Sequence, residues 1–465
     1  MTGILLLTGI TILQLAAGIG LLTLFHIFPR PGLFFSLALI CGVAVFSIVP
    51  FILQLCYLPV TPATVFISLI ITSLLLNIKY TVTKNYLQTI RTNSRFTIKL
   101  YEWPALLVIA ALIAISVWRC FYFPPTPRDF ISGPEVIAEY TVQEGTMINS
   151  VFTVNLESTN NPFKSPYLIC LQVIYKMAGF LFGQLWLSAL FISFIIFLYH
   201  ALCITLHRLI AGILMVVFLA IPEMYAYSFM ALYDYSNAVF FFLACYFLLD
   251  YFDNDKPNYL FFSALLLSIA TYIRSETIVL AGFTMLLLGW QGLKNKKEVT
   301  RLIKDCLVFI LPAVFFYVLT VIVYLGYYLP VKYDVGGQVN HQLANLSPLV
   351  KRFVLINKEL IFSQTGLVYY GYLIFIFLFL LAIEIVFNKG VFTAKAKNWL
   401  IVSLIIYLGY PILGYLLPLL DIDNSTKRGL FKLFPLLLLY MANSNVLLYL
   451  SGKITSWENR PVTAS

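Results

Sequence analysis

The chain reads as an all-α, polytopic transmembrane bundle of about thirteen spans, and three features of its 465 residues carry that reading. Hydrophobic residues make up 61% and charged residues 11%, against roughly 45–50% and roughly 25% in soluble domains. The apolar residues gather in runs approaching the roughly 20 that a crossing helix needs. The 30 basic and 20 acidic residues give a net charge of +10, and they fall in short clusters between those runs. Such a layout suits topology signals and not a basic face for nucleic acid. A disordered chain and a soluble α/β enzyme are excluded, because too little polar surface remains to coat a globule in water.

Taken in order, residues 1–103 form an N-terminal three-span extension with runs at 3–25, 33–57 and 64–78, followed by a basic segment. The first run lacks a basic flank and is followed by others, so it is expected to be a retained span and not a cleaved signal peptide. Residues 104–290 form a membrane core with runs at 104–123, 184–206, 209–221, 238–252, 259–272 and 277–290, and with a long external loop at 124–165. In this core, 134–144 reads as a helix start, and 166–180 as an apolar stretch lying in the membrane interface. Residues 291–465 add runs at 306–328, 366–387, 399–420 and 430–450, with a second long external loop at 329–365.

Orientation follows from the cations. Lys79, Lys84, Arg91, Arg95 and Lys99, then Lys294, Lys296, Lys297, Arg301 and Lys304, then Lys389, Lys395 and Lys397 fall on one side of the span count. That side is expected to be cytoplasmic. The two long loops lie opposite, and connections of that length usually carry function. Seven cysteines, mostly within apolar runs and with no Cys-x-x-Cys pair, indicate neither a disulfide framework nor a zinc site.

Chemistry in such a chain must come from polar residues outside the hydrocarbon or facing a cavity. A proline-rich span exit presents Arg128 and Asp129, and Asp129 could accept a proton from an incoming hydroxyl. It could equally cap a short helix or pair with Arg128, and Glu135 is the substitute carboxylate. Asp234, flanked by Tyr233 and Tyr235, suits a sugar whose C–H faces pack on rings while its hydroxyls need acceptors. Arg274 offers a planar fork for phosphate with Glu276 to orient it, or the two merely form an ion pair. The second loop contributes Lys332, His341, Lys351 and Arg352, an external basic set that anionic headgroups or a lipid phosphate would explain.

Between about 104 and 290 the arrangement resembles the GT-C superfamily of integral-membrane glycosyltransferases, which includes protein O-mannosyltransferases and aminoarabinose transferases. The likeness rests on the acidic first loop with Arg128, Asp129 and Glu135, on Asn161-Pro-Phe-Lys-Ser-Pro-Tyr167 running into 168–179, on Asp234 before the 238–252 run, and on Ala270-Thr-Tyr-Ile-Arg-Ser-Glu276. The resemblance implies a sugar donor on a polyprenyl phosphate, transfer on the outer face, and a first-loop carboxylate as base. The common Asp-Glu doublet is absent, since Phe130 follows Asp129, so the base is Asp129 or Glu135.

The expected function is thus an inverting glycosyltransferase moving a sugar to a hydroxyl on a lipid, glycan or protein acceptor. Its setting would be the bacterial inner membrane, with a periplasmic active site serving the cell envelope. Arg274, helped by Lys332 or by Lys351 and Arg352, would stabilise the departing phosphate. No cofactor, resident metal or nucleic acid is called for. The rivals are a transporter or flippase of a lipid-linked saccharide and a non-catalytic subunit of polysaccharide assembly. A transporter needs polar residues spread through its spans, whereas here they concentrate externally.

Overall fold

The computed structural model describes residues 2–93, 98–159, 162–180, 182–331, 334, 337, 339–340 and 344–459, and every regular element among them is helical. All thirteen apolar runs lie on helices, but they are not equivalent. Eight helices are long and apolar enough to cross a membrane, and three bent pairs raise the number to eleven. The helices Arg208–Leu219 and Pro257–Ile273, of 12 and 17 residues, fall below that length. The chain is a multi-pass membrane protein.

The bends have local causes. The 366–387 run breaks by 99° at Gly371, whose φ of +58° a side chain resists and where an added Cβ would come within 3.0 Å of the Ala220 carbonyl oxygen. The 430–450 run breaks by 54° because a new helix, Asn445–Glu458, begins inside it. Ser444 caps this helix, and the buried carboxylate of Glu384 accepts from the Val446 N–H at 3.0 Å and from Asn445 Nδ2 at 3.0 Å. A buried acid is tolerated here because it takes up donors that a helix start leaves free.

Charges mark the two ends of the bundle. The helix Tyr233–Asn254 spans ~33 Å at 1.5 Å per residue, with Asp234 at one end. At its other end Asp255 pairs with Lys297 (2.6 Å) and Arg301 (2.7 Å), while Asp253 lies 3.9 Å from Lys395. Two of the three basic segments therefore gather opposite Asp234.

One expectation is corrected. The stretch expected in the interface forms a helix, Pro166–Met177, whose first ten residues are all buried. It packs against Pro31–Leu55 and Val136–Glu144 and belongs to the core. Lys176 closes its end by pairing with Glu135 (2.8 Å) and Glu139 (2.7 Å).

Glu384→Ala leaves the Val446 N–H without its acceptor and frees the joint. It is expected to cost ~1–3 kcal/mol in thermal unfolding of the detergent-purified protein. An unchanged melting temperature would show that the bend is held by something else.

Candidate functional site

The helix Tyr233–Asn254 starts with Asp234 in its first turn, where the helix dipole favours a negative charge. One turn later Asn237 donates to the carbonyl of Ala270 (2.6 Å) and to Thr277 Oγ1 (3.0 Å). This side chain therefore ties the start of its helix to the end of Pro257–Ile273 and the start of Thr277–Lys294. The turn between those helices carries Arg274 and Glu276, so the tether delivers both beside Asp234. Arg274 donates to Asp234 through Nη1 and to Glu276 through Nε. Arg428, from the C-terminal region, comes within 3.8 Å of Asp234.

The first loop is fastened to the same place. Ser165 caps Pro166–Met177 and donates to the Tyr272 carbonyl, while its own carbonyl accepts from the Tyr233 hydroxyl at 2.8 Å. The Ala231 N–H donates to the Thr126 carbonyl at 3.1 Å, joining the 222–232 loop to the proline exit. Asp129 follows three residues later, in the short helix Arg128–Phe130.

These pieces enclose a hollow of about 550 Å³. Its lining includes the polar side chains of Asp129, Lys164, Asp234, Arg274, Glu276 and Arg428. It also includes the apolar Ile278, Val279, Val321, Leu325 and Leu416, from three helices that elsewhere face outward from the bundle, and Leu420 from the turn that follows the last of them. Behind Glu276 lies Lys432, 3% exposed, with its ammonium 5.9 Å from the Tyr410 ring centre.

Lys164 is open along the wall and, among the described residues, forms no ion pair. Enclosure by protein strips water from its ammonium, and Arg274 repels it, so its pKa is pushed below the usual lysine value despite the attraction of Glu276 and Asp234. An anion arriving in the hollow would relieve that strain.

Tyr233, Asp234, Arg274, Glu276 and Asp129 are brought together as lining residues. Others are not. Glu135 lies off the hollow and is held by Lys176 and by Gln172 Nε2 at 2.6 Å; burial nevertheless pushes its pKa up. Tyr235 turns into the core against Phe191 and Phe194. Arg352 lies along Gly414, with Thr426 Oγ1 3.5 Å away, and Lys351 is exposed on its helix; neither lines the hollow. Lys332 and His341 lie outside the described residues. Lys432 was missed by sequence reasoning, and Lys164 entered it only within the Asn161–Tyr167 motif. The Lys-Ser-Pro that fastens the first loop was the available signal for Lys164.

Fold and site together define a multi-pass membrane protein with a half-polar, half-apolar hollow at one end of its bundle. No family model, no curated protein and no solved structure matches the chain.

Arg274→Ala strands a buried Asp234, and a broken buried pair costs ~3–5 kcal/mol. Lys164→Ala, on the open wall, should shift unfolding by less than about 0.5 kcal/mol. Equal melting temperatures for the two variants would contradict the division between a keystone and a wall residue.

Proposed function

We propose that the chain is a GT-C-like membrane glycosyltransferase that moves a sugar from a polyprenyl phosphate to a hydroxyl acceptor with inversion. The observation that carries this reading is the mixed lining of the hollow, cations beside apolar side chains. An amphiphile with an anionic head and a hydrocarbon tail needs both, at one end of a membrane bundle. The reading takes all thirteen runs as crossings, including the two short ones, and the two basic segments that gather opposite Asp234 support an external hollow.

In this reading Asp129 takes the proton from the acceptor hydroxyl as that oxygen attacks the anomeric carbon. The bond from that carbon to the phosphate oxygen breaks, and the electron pair leaves with the lipid phosphate. Lys164 and Arg428 receive the growing charge. Arg274 adds what remains of its fork after Asp234 and Glu276 have taken Nη1 and Nε. Asp129 is preferred to Glu135 because it lines the hollow and Glu135 does not. Asp234 and Glu276 act chiefly by holding Arg274. The acceptor is a lipid, glycan or protein, and the bacterial inner membrane is the proposed setting.

The test is transfer by detergent-purified protein supplied with a synthetic polyprenyl-phosphate sugar. Asp129→Asn is expected to keep abundance and melting temperature while losing roughly 100-fold or more in turnover. Full activity in that variant would remove the carboxylate from the reaction.

Binding also carries a pH signature. Only protonated Lys164 attracts phosphate, so donor affinity is expected to fall as pH rises through its depressed pKa. Lys164→Arg keeps the charge at all relevant pH and should move that alkaline loss upward. Coincident profiles for the two proteins would exclude Lys164 as the anion contact.

A further inference from the structure

The helix Ser347–Leu355, continued by a wider turn to Ile361, lies on the hollow side of the bundle and is apolar on two faces. Its inner face is settled by contacts. Phe353 packs edge-on against Tyr407, with ring centres 6.0 Å apart, and the Tyr407 hydroxyl donates to Asn357 Oδ1 at 2.5 Å. Arg352 lies along Gly414. The segment is therefore packed on the C-terminal half of the helix Ala394–Leu416, whose end lines the hollow. Tyr407 is nine residues before Leu416, ~14 Å along the helix from that end.

Its outer face is the unexplained one. Leu346, Val350 and Val354 recur at helical spacing and are 58%, 61% and 52% exposed. Apolar side chains exposed in a row are unfavourable against water. Exposed apolar residues also lie on the helices beside it. Leu404 and Leu408 are exposed beside Tyr407, and Phe362, itself exposed, contacts Phe375 of the helix Leu373–Phe387 at 6.3 Å. Lys351 and Lys358 border the stripe, with Glu359 as the one nearby acid on the segment. Neither lysine forms an ion pair among the described residues.

We infer that 346–362 is an interfacial foot. Its outer stripe rests in the hydrocarbon boundary of the leaflet on the hollow side, and Lys351 and Lys358 hold the phosphates of anionic lipids there. An in-plane amphipathic helix with lysines flanking its apolar face is the form that such a boundary accepts. This assigns Lys351 to the bilayer and not to the ligand of the hollow, and it stands whether or not the hollow transfers sugar.

The test uses the full chain in nanodiscs of mixed phosphatidylcholine and phosphatidylglycerol. Nitroxides are placed through Val350→Cys or Val354→Cys after the exposed Cys56 and half-buried Cys203 and Cys306 are changed to Ser. Collision with oxygen, which concentrates in lipid, is expected to exceed collision with a water-soluble nickel chelate several-fold, as at a control label on Leu404→Cys. A label open to the chelate overturns the proposal in favour of a solvated face. A label shielded from both reagents, with dipolar broadening between copies, overturns it in favour of a second copy of the chain. Lys351→Glu with Lys358→Glu is expected to reduce phosphatidylglycerol co-purifying with the protein by at least half. Unchanged retention would remove the headgroup contact.

Discussion

The buried pairing of Asp234 with Arg274 is the constraint from which the site follows. A charge enclosed at the edge of a membrane bundle is affordable only with its partner in place, and Asp234 is 3% exposed. Satisfying it requires the start of one helix to meet the turn between two others. Asn237 enforces the same meeting with uncharged hydrogen bonds one turn away. Ser165 then fastens the first long loop to the Tyr272 carbonyl, at the entrance to that turn. Three segments distant in sequence thus share one anchor, and the cavity between them is what remains after each has been pinned.

Charge accounting explains why such a cavity favours an anion. Asp234 and Glu276 are committed to Arg274, and Glu223 to Lys427 at 2.9 Å. Arg428 reaches Asp234 only at 3.8 Å, and Lys164 makes no ion pair among the described residues. Lys432 adds a third cation just behind the wall. Asp129 offsets one of these cations, so with Lys432 included a single positive charge is left over at the hollow, where partial enclosure makes a fixed cation act more strongly than on a solvated surface. Arg274 contributes in two ways, since its fork has five donors and the two carboxylates engage only Nη1 and Nε.

Much of this was legible in the sequence, for identifiable reasons. Apolar runs near membrane length became helices because lipid leaves the backbone no other way to satisfy its polar groups. Asp129, Asp234 and Arg274 stood out because charges beside such runs are rare. Other features depend on what lies opposite. An apolar stretch reads alike for interface and core, so 166–180 is expected in the membrane interface, whereas its neighbours enclose the helix that it forms. Tyr233 and Tyr235 look equivalent in a string, yet a helix turns about 100° per residue, sending one to the hollow and the other to Phe191 and Phe194. Lys432 sits inside an apolar run and acquires meaning only through Tyr410 and Glu276. The break at Asn445 depends on Glu384, sixty residues upstream.

The first three runs, which the sequence set apart as an extension, bear on the site through the helix Pro31–Leu55. That helix is buried along most of its length and packs against Pro166–Met177 and Leu185–Leu202. Its crossing with Thr2–Leu24 is backbone on backbone: a Cβ on Gly18 would meet the Ala38 carbonyl oxygen at 1.6 Å, and one on Gly42 would meet that of Gln14 at 1.9 Å. So close a crossing leaves little freedom for one helix to slide on the other. From this braced position the Ser47 carbonyl accepts the Tyr272 hydroxyl at 2.9 Å, and Gln54 Oε1 accepts from the Met147 N–H at 2.5 Å and from Thr146 Oγ1 at 3.1 Å. Tyr272 is two residues from Arg274, and 146–147 lie in the loop that carries Asp129. The N-terminal pair therefore fixes, from behind, the two strands of chain whose separation sets the width of the hollow.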